Sequence, residues 1–238
     1  MCPIRRLSLP EAVPSGIEVW QLKLNLQMAI LDSDVSLLSE EERTRALRFH
    51  RHDDQMRSIA TRAALRRMLA SRVMLPPDKL RFAANRHGKP RLQDDTGLEF
   101  NVSHAGRFAL IALSTSGQVG VDIEYRDRRI DAKSLGPYVF SALERRSGLE
   151  TTDDFIERWV AKESVLKALG VGISEHLQAI SVLPGDGGSY RIAHDHPEWA
   201  GIKAWTIEAP VGYAAALAEK SHDPAGPSVK LQRQQSMM

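Results

Sequence analysis

The feature that most restricts the fold is an internal echo. Residues 62–69 read RAALRRML and residues 162–169 read KESVLKAL, with apolar side chains at matching steps of a helix. Residues 107–113 (RFALIAL) and 212–218 (GYAAALA) rhyme in the same way as apolar strands. The stretch 139–147 and the helical pattern at 153–169 together repeat the two helical patterns at 39–71. A chain that repeats this order is expected to fold as a pseudo-twofold duplication of one α+β unit. The halves are expected over 1–117 and 118–220, with 221–238 as a frayed tail. Clefts form where such units meet, so a site is expected at their interface.

Within the first half, residues 18–26 alternate as a half-buried strand. Ser39 and Glu42 have the spacing of a capping box, opening a helix through Ala46, Leu47 and Phe49. A second helix is expected over 53–71, with Arg57, Arg62, Arg66, Arg67 and Arg72 on a basic side read chiefly as solvated. Turn chemistry at 85–90 precedes strands at 100–104 and 108–113. In the second half, strands are expected at 189–192 and 203–207.

Composition excludes several classes. The single cysteine, Cys2, cannot form an internal disulfide, which points to a reducing compartment and a cytoplasmic protein. No apolar run approaches the ~20 residues of a membrane span. No h-region follows the first six residues, so no secretory signal is expected. A net charge of +2 is too mild to indicate nucleic acid as a partner. There is no Walker loop, nucleophile elbow, CxxC pair or HExxH spacing, and Gly170-Val171-Gly172 lacks the third glycine of a dinucleotide turn.

The chemistry centres on residues 119–124. Val119, Val121 and Ile123 share one face of a strand, and Gly120, Asp122 and Glu124 the other. Glu163 sits mid-way across an apolar helical arc of Phe155, Ile156, Trp159, Val160 and Leu166, with Lys167 close by. A carboxylate facing a core is costly unless a partner or metal satisfies it. Three acids ringed by Arg57, Lys89, His104, Lys162 and Lys167 suit Mg²⁺ and a phosphate-bearing substrate, since Mg²⁺ prefers one or two carboxylates plus substrate oxygens.

Gly120-Val121-Asp122-Ile123-Glu124 followed by Trp159-x-x-Lys162-Glu163-x-x-x-Lys167 resembles the paired signature of the 4′-phosphopantetheinyl transferases, in the two-repeat form typified by the surfactin synthetase activator. Gly88-Lys89-Pro90 resembles the family's G-K-P loop. The stretch 100–104 resembles its F-N-x-S-H strand, and Phe140-Ser141-x-x-Glu144 its F-S-x-x-E segment. The resemblance covers roughly 40–215. It implies a Mg²⁺-dependent transferase, with Mn²⁺ as a substitute, that moves the 4′-phosphopantetheine arm of coenzyme A to a serine of an acyl or peptidyl carrier protein, releasing adenosine 3′,5′-bisphosphate.

It implies Asp122, Glu124 and Glu163 as metal ligands, with Glu163 also the candidate base. Lys167 and His104 would contact the pyrophosphate, Lys89 a phosphate, and Gly88 and Pro90 the adenine. Arg57, helped by Arg45, would face the 3′-phosphate, and Ser103 would hold the pyrophosphate region. Here the chain departs from the family's lysines ahead of the first long helix, carrying Glu42, Arg43 and Arg45 instead. Lys162 is expected to pair with an acid, Glu144 to serve a helix start, and Trp159 to pack in the core. A monomer is expected, with neither nucleic acid nor membrane as a partner. Two rival readings remain: another Mg²⁺-dependent phosphoryl or nucleotidyl transferase, and a nucleic-acid-binding module on the arginine-rich helix. The second leaves the acids without a role.

Overall fold

In the computed structural model, which describes residues 3–126, 131–147 and 152–221, the chain stacks as helix, sheet, sheet and helix. The first half contains β1 (Ile4–Arg6), β2 (Ile17–Lys23), α1 (Asp32–Val35), α2 (Glu40–Leu47) and α3 (His52–Val73). A hairpin of β3 (Phe82–Ala84) and β4 (Pro90–Leu92) follows, then β5 (Glu99–Ala105) and β6 (Phe108–Ser114). The second half contains β7 (Gly117–Tyr125), α4 (Ala132–Val139), α5 (Ala142–Arg146), α6 (Thr152–Leu169) and α7 (Ile173–His176). It closes with β8 (Ile180–Pro184), β9 (Ser189–His194), β10 (Ile202–Thr206) and β11 (Tyr213–Ser221).

The sheets run β1-β2-β6-β5 and β7-β11-β10-β9-β8, antiparallel throughout. The order β2-β6-β5 recurs as β7-β11-β10, and each trio carries one long helix. This is the duplicated α+β layout that the echo implies.

Each layer follows from the pattern of its strands. On β6, Ala109, Ile111 and Leu113 pack with Leu65 and Leu69 of α3, while Leu110 and Ala112 face the other sheet. Both faces are buried, so the strand reads as one unbroken apolar run. On β7, Val119, Val121 and Ile123 join the core between the sheets, leaving Gly120, Asp122 and Glu124 turned toward α6. Phe155, Ile156, Val160 and Leu166 of α6 pack with Ala214, Ala216 and Ala218 of β11.

Several elements differ from expectation. The first long strand stops at Lys23, because Asn25 turns the chain: its carbonyl accepts from Met28 N and its side chain from Gln27 N. The stretch 139–147 is split, α4 ending at Val139 and α5 starting at a second capping box of Ser141 and Glu144. The first capping box, Ser39 with Glu42, forms as the spacing predicts. The short elements β1, α1, α7 and β8, the β3–β4 hairpin and α4 are not among the expected elements. Of the expected tail, Ser221 ends β11 and residues 222–238 lie outside the described residues.

Candidate active site

Gly120 fixes how closely α6 lies on β7. A Cβ there would stand 2.0 Å from Ser164 O and 2.4 Å from Ala168 N, so helix backbone rests directly on the strand. Glu163 and Lys167, one helical turn apart, therefore reach Asp122. Lys167 Nζ donates to Asp122 Oδ1 at 2.5 Å and lies 3.4 Å from Glu163 Oε2. Ser103 Oγ, from β5 of the other half, also donates to Asp122 Oδ1 at 2.7 Å. The second oxygen, Asp122 Oδ2, is buried without a hydrogen-bond partner.

These charges are strongly interdependent. Burial, then Asp122 and more weakly Glu124, push the Glu163 carboxyl up to about 7 against the pull of Lys167. Burial alone would lower Lys167, but Asp122 and Glu163 outweigh it and hold the ammonium above its ordinary value.

Side chains of the first half seal the outer edge of β7, which pairs with β11 on its other side. Asn101 Oδ1 accepts from Val121 N at 2.9 Å, Ser103 Oγ from Ile123 N at 3.4 Å, and Lys89 Nζ donates to Val119 O at 3.1 Å. An edge strand exposes unpaired backbone groups; here three side chains supply the partners and bind the halves together.

The seam opens into a cavity of about 410 Å³. Asp122, Glu124, Glu163 and Lys167 line one wall, and Pro90, Ser103 and His104 the floor. His104 reaches solvent, and burial of its inner side, then Arg57 and Lys167, lower its pKa. The opposite wall is α3, through Ser58, Thr61, Arg62 and Leu65. Thr61 Oγ1 and Arg62 Nη1 are buried there without hydrogen-bond partners. Arg62 Nε lies 3.5 Å from Glu42, whose other oxygen accepts from Arg66 Nε at 2.8 Å. Burial, ahead of the Glu42 charge that opposes it, lowers the Arg62 pKa.

Seven expected residues thus line one cavity: Pro90, Ser103, His104, Asp122, Glu124, Glu163 and Lys167. Four do not. Arg45 pairs with Glu41 at 2.9 Å and lines a separate surface hollow on α2. Arg57 pairs with Asp54 and donates to Gly106 O at 2.9 Å. Gly88 makes the tight turn, with φ of +83°, and its N donates to Asn85 O. The Lys89 ammonium is taken up by the carbonyls of Val119 and Ala168, both at 3.1 Å, and not by the cavity.

Lys162 is also off the site. It is fully buried, paired with Glu144, and donates to Leu177 O at 2.7 Å and Ile180 O at 2.8 Å. Trp159 stacks on Phe155. Arg62 and Thr61 also line the cavity but are not among the expected residues, Arg62 because the basic side of α3 reads as solvated and Thr61 because a lone threonine on a helix carries no signal by itself. The signal was available: Met56, Ile59 and Ala60 face one way on α3, which leaves 58, 61, 62 and 65 as a second face.

Among the described residues, no group of three or more His, Cys, Asp or Glu side chains forms a ready-made metal cage. The acids nonetheless fit a hard cation. One of them has an orphaned buried oxygen, and another is pushed up by burial and then by its like-charged neighbours, a strain that a bound cation would relieve. Mg²⁺ typically binds through one or two carboxylates and completes its shell with substrate phosphates and water.

Comparison with known proteins agrees with this layout. Residues 27–116 match the family model for the 4′-phosphopantetheinyl transferase N-terminal domain, and residues 118–218 that of the 4′-phosphopantetheinyl transferase superfamily. The Synechocystis sp. protein slr0495 is 37% identical over 152 residues, 61% of this chain and 62% of that protein. The 4′-phosphopantetheinyl transferase HetI of Nostoc sp. is 32% identical over 167 residues, 67% of this chain and 70% of HetI. The 4′-phosphopantetheinyl transferase Sfp of Bacillus subtilis is 30% identical over 151 residues, 62% of this chain and 67% of Sfp. Two tandem family matches meeting at the strand that carries Asp122, over a duplicated α+β fold, establish that the chain belongs to the 4′-phosphopantetheinyl transferase superfamily.

Proposed function

We propose that this protein transfers the 4′-phosphopantetheine arm of coenzyme A to a serine hydroxyl of an acyl or peptidyl carrier protein. The serine Oγ attacks the phosphorus bearing the pantetheine arm. The bond to the bridging oxygen breaks, and adenosine 3′,5′-bisphosphate leaves. The observation that carries the reading is the seam cavity, where three acids and a lysine on one wall face unpaired donors on the other.

Asp122, Glu124 and Glu163 are the residues that would hold Mg²⁺, which when bound neutralises phosphate charge and polarises the P–O bond. Glu163, at the cavity wall beside Asp122 and Lys167, is the carboxylate placed to take the serine proton. Lys167 holds Asp122 and Glu163 at fixed spacing and presents its ammonium to the phosphates. Ser103 orients Asp122 by its hydrogen bond. His104, Thr61 and Arg62 offer further donors, and Arg62 takes the role toward the nucleotide phosphates first expected of Arg57 and Arg45. Pro90 shapes the floor beside the adenine. The protein acts as a monomer in a reducing, cytoplasmic setting, consistent with its lone cysteine. Among the described residues, no helix is long and apolar enough to cross a membrane.

Thermal melts with Mg²⁺ and either coenzyme A or ATP test the reading. Stabilisation by coenzyme A and not by ATP is expected. The reverse pattern would favour a transferase acting on another nucleotide.

A further inference from the structure

The loop between β3 and β4 reaches out of its own half and closes the C-terminal end of α6. A helix leaves its last four carbonyls without intrahelical partners. In α6, Gly170 takes the left-handed conformation, with φ of +67°. Val171 N then donates to Leu166 O and Gly170 N to Lys167 O, which accounts for two of those carbonyls. Ala168 O accepts from Lys89 Nζ at 3.1 Å, and Gly170 O, just beyond the helix, accepts from Asn85 Nδ2 at 2.7 Å. Both donors come from the first half of the chain.

The loop is built for this grip. Asn85 Oδ1 accepts from His87 N at 2.9 Å and Lys89 N at 3.0 Å, which fixes the turn while Nδ2 points outward. A Cβ on Gly170 would stand 2.9 Å from Asn85 Nδ2 and 3.3 Å from Lys89 Cδ, so glycine there admits the loop. Lys89 also donates to Val119 O, so one ammonium ties β7 and α6 to the same loop. A cation at a helix C-terminus is favoured by the helix dipole as well. These are the two elements that carry Asp122, Glu163 and Lys167.

We propose that the 85–89 loop is a clamp between the halves, which sets α6 against β7, and that Lys89 and Asn85 are positioning residues and not phosphate contacts. The proposal rests on the transferase reading for its kinetic consequence but not for its structural one. Misplacing reacting groups by about 1 Å costs on the order of 100-fold in rate. A lost phosphate contact would instead weaken coenzyme A binding.

The test compares Lys89→Met, Lys89→Arg and Asn85→Ala with wild type in steady-state transfer and in hydrogen exchange. Lys89→Met is expected to lower kcat by about tenfold or more with KM for coenzyme A within about twofold. Lys89→Arg, which keeps the cation, restores most of kcat. Exchange at Gly170 and Val171 accelerates about tenfold in Lys89→Met and in Asn85→Ala, which is the gentler variant should the first fold poorly. A KM for coenzyme A raised tenfold with kcat and exchange unchanged would overturn the clamp. If wild type transfers nothing from coenzyme A, the transferase reading fails, while the exchange comparison still decides the clamp.

Discussion

Replacing Gly120 by alanine perturbs the contact on which the proposed catalytic wall depends. The new Cβ would stand 2.0 Å from Ser164 O and 2.4 Å from Ala168 N, both main-chain atoms that no rotamer change can move. To restore the 3.4 Å at which ordinary van der Waals contact begins, α6 must withdraw from β7 by about 1.4 Å. Overpacking of this kind costs about 3 kcal/mol. For a chain of this size, that lowers the melting temperature by about 6–12 °C. The same retreat carries Glu163 and Lys167 away from Asp122, so residual activity falls on the order of 100-fold beyond the loss of folded protein. Urea and thermal unfolding, with transfer rates measured well below the transition, separate the two effects. Gly136→Ala is the control: apart from the ring of Pro137 next to it in the chain, which disfavours a Cβ on the helical residue before it, its methyl meets nothing closer than Phe140 Cδ2 at 3.8 Å, so its cost should stay well below that of Gly120→Ala. If Gly120→Ala melts within a degree of wild type and keeps its rate, the packing of α6 on β7 is not what builds the site.

Lys162→Met leaves the Glu144 carboxylate buried without its counter-charge and should cost about 3–5 kcal/mol in urea unfolding, most of it recovered on adding Glu144→Gln. Arg62→Met should raise KM for coenzyme A by about tenfold, with kcat changed less than about threefold, because a charge-assisted contact is lost outside the reacting centre. Burial holds the Lys89 pKa at about 8, below the ordinary lysine value of 10.5, so between those values the unfolded chain binds more protons than the folded one. Wild type should therefore gain up to about 3 kcal/mol relative to Lys89→Met as pH rises from 8 to 10.5, with a constant gap below 8. Denaturant midpoints of the pair across that range check the sign.

Much of this molecule is legible in its sequence. The alternation at 119–124 gives both the buried face and the acid-bearing face of β7, and the helical arc around Glu163 gives the partner wall. The echo between 62–69 and 162–169 gives the paired helices. What sequence does not convey is the direction of long side chains across a seam. Lys89 stands in a phosphate-like motif, yet its ammonium meets one carbonyl of α6 and one of β7, because Gly170 lets the loop approach. Arg57 and Arg62 look interchangeable on a basic helix, yet Asp54 and Gly106 occupy the first while a guanidinium nitrogen of the second is buried at the cavity wall without a partner. Glu144 reads as a helix start, and it is one, but it also neutralises Lys162 inside the second core.

The most direct measurement is the intact mass of a panel of apo carrier proteins after incubation with coenzyme A, Mg²⁺ and either wild type or Glu163→Gln. Wild type should add the mass of one phosphopantetheine arm to at least one of them, and Glu163→Gln, although folded, should add none. Equal modification by the variant, or by wild type stripped of divalent cations, would contradict a reaction centred on Asp122, Glu124 and Glu163.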